Sequence, residues 1–147
     1  MVDLIIKALA PVLPDKCTAG NAACLSFASY SGLRDSGDYW VLIEVNEACN
    51  LTCPVCFADS STAKTTHRPL AEIERMMDAL VASEGEPDLL QISGGEPTIH
   101  PQILDILAAA KRRPIRHLML NTNGIRIAQE PEFVSQLKAF TPGFEVY

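Results

Sequence analysis

The chain has 147 residues, 48% hydrophobic and 20% charged, with a formal net charge of −6 and a pI near 5.0. That length suits one compact domain. The acidic balance argues against nucleic-acid binding through a basic face, and no apolar run is long enough to span a bilayer.

The apolar start, Met1 to Pro14, carries Asp3 where a signal peptide would need basic residues, and Lys7 interrupts it. It reads as a short amphipathic helix stopped by Pro11 and Pro14. Contact with a membrane surface stays open as a second reading. Without an export signal the expected compartment is the reducing cytoplasm, where cysteines serve as ligands or free thiols rather than disulfides. Residues 15–38 are rich in Gly, Ser, Asp and Ala and show no period. Cys17 and Cys24 lie in this irregular lead-in. They are either idle thiols or part of a second metal site.

From Tyr39 the pattern becomes regular. Tyr39–Val45 is a β-branched and aromatic run of strand length. Pro69 opens a helix with Leu70, Ile73, Met77, Leu80 and Val81 at helical spacing, and Gly85 closes it. Leu89–Ile92 is a second strand. Pro101 opens a second helix, with Ile103, Leu104, Leu107 and Ala108 inward and Lys111, Arg112 and Arg113 in the last turn, where positive charge suits the dipole. His117–Leu120 is a third strand. A third helix runs from Pro131, with Phe133, Val134, Leu137 and Phe140 inward. Pro142-Gly143 breaks it, and Phe144–Tyr147 starts a fourth strand.

Strand and helix alternating at this spacing predict α/β architecture with a parallel sheet. The expected fold is a partial (βα) barrel: three βα units and the start of a fourth strand. Residues 1–38 form the lead-in and 39–147 the barrel portion. The chain stops within its fourth strand, so the expectation is a fragment or the first half of a larger barrel. A sheet this small would expose an apolar concave face.

Three polar segments each follow a strand: Cys49–Cys56, Ser93–Pro97 and Asn121–Gly124. In parallel α/β folds the C-terminal strand ends share the rim that carries the site. The first segment holds three of the five cysteines at Cys-x3-Cys-x2-Cys. Soft thiolates select zinc, copper(I) or iron–sulfur clusters. Three are one short of a closed zinc site, but they can cap three corners of a cubane and leave the fourth iron free. A zinc site completed elsewhere and a Cys-x-x-Cys redox pair remain the other readings. Ser93-Gly94-Gly95-Glu96-Pro97 is a tight turn whose glycines admit a close ligand, and Glu96 can accept from an ammonium group. Asn121-Thr122-Asn123-Gly124 is a polar turn that can bond a carboxylate or ribose. Glu44 faces either the barrel interior or solvent. His67, His100 and His117 read as surface or capping residues, Met76 and Met77 as helix packing, and Arg126 as solvated or, as a second reading, in reach of an anionic ligand.

Taken together, Cys-x3-Cys-x2-Cys, Gly-Gly-Glu-Pro and Thr-Asn-Gly after successive strands resemble the radical SAM superfamily over about residues 39–147. The resemblance implies a 4Fe–4S cluster on Cys49, Cys53 and Cys56. It implies S-adenosylmethionine on the open iron, its amine held by Gly94, Gly95 and Glu96 beside Pro97. Thr122, Asn123 and Phe57 would complete the cofactor contacts, Phe57 near the adenine. Reduction would cleave the cofactor to methionine and a 5′-deoxyadenosyl radical that abstracts hydrogen from a substrate. The implied electron donor is a reduced flavodoxin or ferredoxin. The wording Cys-Pro-Val-Cys-Phe-Ala is similar to the tetraether lipid synthase-like branch, so the substrate is a small molecule or a lipid. Two rival readings are an iron–sulfur or zinc module without this chemistry and an inactive truncated product.

Overall fold

A computed structural model describes residues 40–147. The expected N-terminal helix, Cys17 and Cys24 lie outside the described residues. Within them, four strands alternate with helices. The strands are β1 (Trp40–Glu44), β2 (Leu89–Ser93), β3 (His117–Leu120) and β4 (Phe144–Val146). Helix α1 (Leu70–Glu84) links β1 to β2, and α2 (Ile103–Lys111) links β2 to β3. Two short helices, α3 (Ile125–Gln129) and α4 (Pro131–Leu137), precede β4. All pairings are parallel and the strand order is β1-β2-β3-β4. Parallel neighbours taken in sequence order, each pair joined by a helix, make the expected portion of a (βα) barrel.

Alternation along the strands decides which residues meet the helices. Ile43, Ile92 and Leu120 stand side by side in register, as do Val41, Leu90 and Leu118. They pack against Ile73, Met76, Met77 and Leu80 of α1, Ile103, Ile106, Leu107, Ala109 and Ala110 of α2, and Phe133 and Leu137 of α4. Each large aliphatic side chain buried there is worth about 1.5–3 kcal/mol relative to exposure. Met76 and Met77 are core residues, as expected.

Several boundaries differ from the sequence reading. Pro69 stands one residue before α1, as its cap. Gly85 ends that helix, its N–H bonding Val81 O at 2.8 Å. Helix α2 starts at Ile103 rather than Pro101, because Pro97–Ile99 first makes a 3-10 turn. Its buried face includes Ile106, Ala109 and Ala110, while Leu104 and Ala108 are half-buried. The basic residues at its end serve tertiary contacts as well as the dipole: Arg112 pairs with Glu74 and Arg113 with Asp78, both on α1. Arg126 is not merely solvated. It donates to Thr98 O at 2.6 Å, pairs with Glu130, and lies 4.0 Å from the Phe133 ring centre. His100 is buried and donates or accepts at both ring nitrogens, to Arg68 O and from Gln102 N–H. Only the capping half of its expected role holds.

The opposite sheet face is mixed rather than apolar. Trp40, Leu42, Leu89 and Met119 share it with Glu44, Gln91, Ser93, His117 and Glu145, by strand alternation. Among the described residues no helix is long and apolar enough to cross a membrane.

Candidate active site

The three polar segments converge on the C-terminal rim, and backbone bonds do most of the joining. After β1 the chain runs along the turn that follows β2: Val45 N–H bonds Ser93 O, Gly95 N–H bonds Asn46 O, and Glu96 N–H bonds Ala48 O, each at 2.9 Å. Asn46 is buried and donates its side-chain amide to Glu96 O at 2.9 Å. A Cβ on Gly94 would stand 2.5 Å from Asn46 O, at a φ of +133° that side chains rarely adopt. A Cβ on Gly95 would collide with the carbonyl of Ala48. The paired glycines therefore let the turn lie against the three residues that lead into Cys49. Local sequence suggested a tight turn and openness to a ligand; the positive φ at Gly94 agrees with the turn, and the close approach to residues 46–48 is the new element.

Glu96 occupies the centre. It is 1% exposed. Its Oε1 accepts from Thr98 N–H at 2.9 Å, Thr98 Oγ1 at 2.6 Å and Thr122 Oγ1 at 2.6 Å. Its Oε2 accepts from Asn123 N–H at 2.7 Å. A buried carboxylate holds its charge at acceptable cost only with such a set of donors. Pro97, also buried, opens the 3-10 turn whose N–H at Thr98 the carboxylate caps. Asn123 reaches further, donating its side-chain amide to Asn50 Oδ1 at 2.7 Å. Its own Oδ1 accepts from Ile125 N–H. The turn after β3 is thus tied both to Glu96 and to the cysteine loop.

The cysteine loop crosses the rim as irregular backbone. Cys49 and Cys56 are half-buried and Cys53 is exposed; all three are free thiols. Leu51 N–H points at Cys49 Sγ and Ser60 N–H at Cys56 Sγ, both at 3.4 Å. Cys49 N–H bonds Ser61 O, and Ala48 bridges Ser61, so residues 59–62 form the outer wall. There Lys64 donates to Asp59 at 2.9 Å. That bond raises the Lys64 amine above the ordinary lysine range, with smaller contributions from Glu47 and Cys56. A cation thus stands near the third thiol. Val55 and Phe57 project outward, 91% and 79% exposed.

Among the described residues no three Cys, His, Asp or Glu side chains converge on a single metal-ion position. A four-iron cube demands less convergence, because each thiolate binds a different iron. Sequence reasoning missed Asn46, Asn50, Thr98 and Lys64. The only local signal for any of them was the run of polar residues around the cysteines.

The family profile described as Radical SAM superfamily matches residues 43–144. Over 86 residues the chain is 35% identical to 7,8-dihydro-6-hydroxymethylpterin dimethyltransferase of Methanocaldococcus jannaschii, covering 58% of this chain and 17% of that protein. Over 97 residues it is 34% identical to GTP 3′,8-cyclase of Pectobacterium atrosepticum, covering 63% and 29%. Over 93 residues it is 32% identical to molybdenum cofactor biosynthesis protein 1 of Homo sapiens, covering 61% and 14%. The chain spans less than a third of the length of each of these relatives. Their names speak of a pterin, of GTP and of a molybdenum cofactor, not of a lipid.

Proposed function

The chain belongs to the radical SAM superfamily, and we propose that it forms the cluster-bearing portion of an enzyme of that kind. In this reading residues 39–147 are barrel and 1–38 its lead-in. Cys49, Cys53 and Cys56 hold a 4Fe–4S cluster. Gly94, Gly95, Glu96 and Pro97, with Thr122 and Asn123, build the neighbouring wall for S-adenosylmethionine, and Phe57 flanks the opening. The observation that carries the reading is the convergence of three strand-end segments around Glu96.

The donor set fits the group. Three thiols on one loop suit an iron–sulfur cluster, and two of them already accept backbone N–H bonds. Hydrogen bonds to the sulfurs tune a cluster's potential. When bound, the cluster supplies the single electron that cleaves S-adenosylmethionine. The chain's own residues do the positioning. Asn46 and the glycines fix the direction in which Cys49 leaves the sheet. Glu96 orients the turns after β2 and β3 through four bonds. One bond falls on Oε2, leaving acceptor capacity on that oxygen for an ammonium donor. Lys64, held by Asp59, places a positive charge in the neighbourhood of Cys56.

The electron donor is a reduced flavodoxin or ferredoxin, the setting is cytoplasmic, and the substrate is a small molecule. Anaerobic reconstitution of the chain with iron and sulfide is the test. The expected product is a reducible cluster whose EPR signal changes when S-adenosylmethionine is added. Uptake of one zinc with no iron–sulfur chromophore would overturn the assignment.

A further inference from the structure

Below the rim, β2 carries a side chain that the cofactor wall does not use. Gln91 is 5% exposed, yet its Oε1 is buried without a hydrogen-bond partner. Leu90 and Ile92 on either side belong to the helix-facing core, so Gln91 faces the other way, onto the concave side. Leu42 stands opposite it in register on β1 and Met119 on β3. Ser93, two residues nearer the rim, lies about 6.6 Å above it along the strand and accepts from Asn121. At the rim Asn46 Oδ1 is likewise buried without a partner, but it lies against the Gly94 turn, whereas Gln91 Oε1 lies beneath that turn on the concave side.

Most buried polar atoms have a partner, and an exception calls for a cause. Two apolar side chains with one amide between them have the make-up of a small-molecule site. An amide offers a donor and an acceptor side by side, the pattern that matches the edge of a purine or a related ring. Met119 adds a sulfur suited to an aromatic face.

We infer that Gln91 is the floor contact of a pocket on the concave face, reading the adjacent donor and acceptor of a planar nitrogen heterocycle. The inference depends on the proposed function only for the side from which the ligand enters. The ring could belong to the adenine of S-adenosylmethionine or to the substrate, and the chemistry at Gln91 is the same for both.

The test is saturation-transfer NMR on the full chain, without iron or reductant, using adenosine, guanosine and uridine as probes. Transfer to the base protons should fall at least fivefold in both Gln91→Leu and Gln91→Met. A response limited to adenosine assigns the site to the cofactor's ring, and a response to guanosine or uridine assigns it to a substrate ring. Both variants should melt at or above the wild-type temperature, because each removes a buried amide oxygen that has no partner. A lower melting temperature in both would mean that the amide serves the fold and would overturn the inference. So would equal transfer in wild type and variants, or none with any probe. Cluster assembly is scored separately by visible absorbance, so failure there counts against the proposed function and leaves this reading to the base-binding result.

Discussion

Thr122 donates its hydroxyl to Glu96 Oε1 at 2.6 Å, so the turn after β3 hangs from the carboxylate of the turn after β2. Opposite ends of that carboxylate face backbone N–H donors, from Thr98 and Asn123. Glu96→Gln would turn an NH2 group toward one of them. The expected loss is about 2 kcal/mol, the scale of a bond to a charged acceptor, against about 1 kcal/mol for Thr122→Val. Urea denaturation of the two variants measures both, and an unchanged midpoint for Glu96→Gln would remove the carboxylate as the tie between the turns.

Gly95→Ala should damage the cysteine loop without touching a cysteine. Its methyl group would press on Ala48, one residue before Cys49. Overpacking of this kind costs about 1–3 kcal/mol. Iron bound per chain after reconstitution should fall by about half or more, since proteins hold metal-binding side chains to within about 0.5 Å of the working geometry. Iron content equal to wild type would show that the loop tolerates the shift.

Cys53→Ala separates ligand from scaffold. Cys53 is exposed and no hydrogen bond to its sulfur is seen among the described residues. The apo protein should keep its stability within about 0.5 kcal/mol, while the iron–sulfur absorbance disappears. A variant that still assembles the full chromophore would free Cys53 from the ligand set.

How far could the chain be read before its fold was known? The βα repeat was legible because each strand and the two longer helices carry enough residues to display a period, with proline and glycine marking the ends. The rim followed from the topology. Helix α3 was not foreseen: its five residues are too few to show a helical period. Nor were the partners of Glu96, His100 and Arg126. Each is satisfied by residues more than 25 positions away in at least one bond, and a local pattern holds no trace of such a bond. The local sequence marks Gly95 as a turn residue but carries no sign of its neighbour Ala48, for the same reason.

His100 makes a prediction about pH. Burial pushes its pKa below the ordinary histidine value, the bond to Arg68 O opposing in part. Nδ1 accepts from Gln102 N–H, so the neutral ring donates from Nε2 to Arg68 O. The unfolded chain takes up a proton first as pH falls. The contribution of neutral His100 is therefore complete above about pH 6.5 and is lost as pH drops toward the lower folded value. The stability gap between wild type and His100→Asn should be widest at pH 7.5 and narrow by pH 5.5 in urea titrations. A gap that stays constant or widens in acid would contradict the assignment.

During synthesis Asn50 leaves the ribosome 73 residues ahead of the amide that holds it. Glu96 likewise waits for Thr122 and Asn123. Iron offered to the nascent chain would meet three loose thiols with no fixed spacing. The same iron offered once β3 and its turn are in place meets a loop already pinned at both ends. On the proposed assignment of the cysteines, cofactor loading would follow the closing of the bond between these two asparagines.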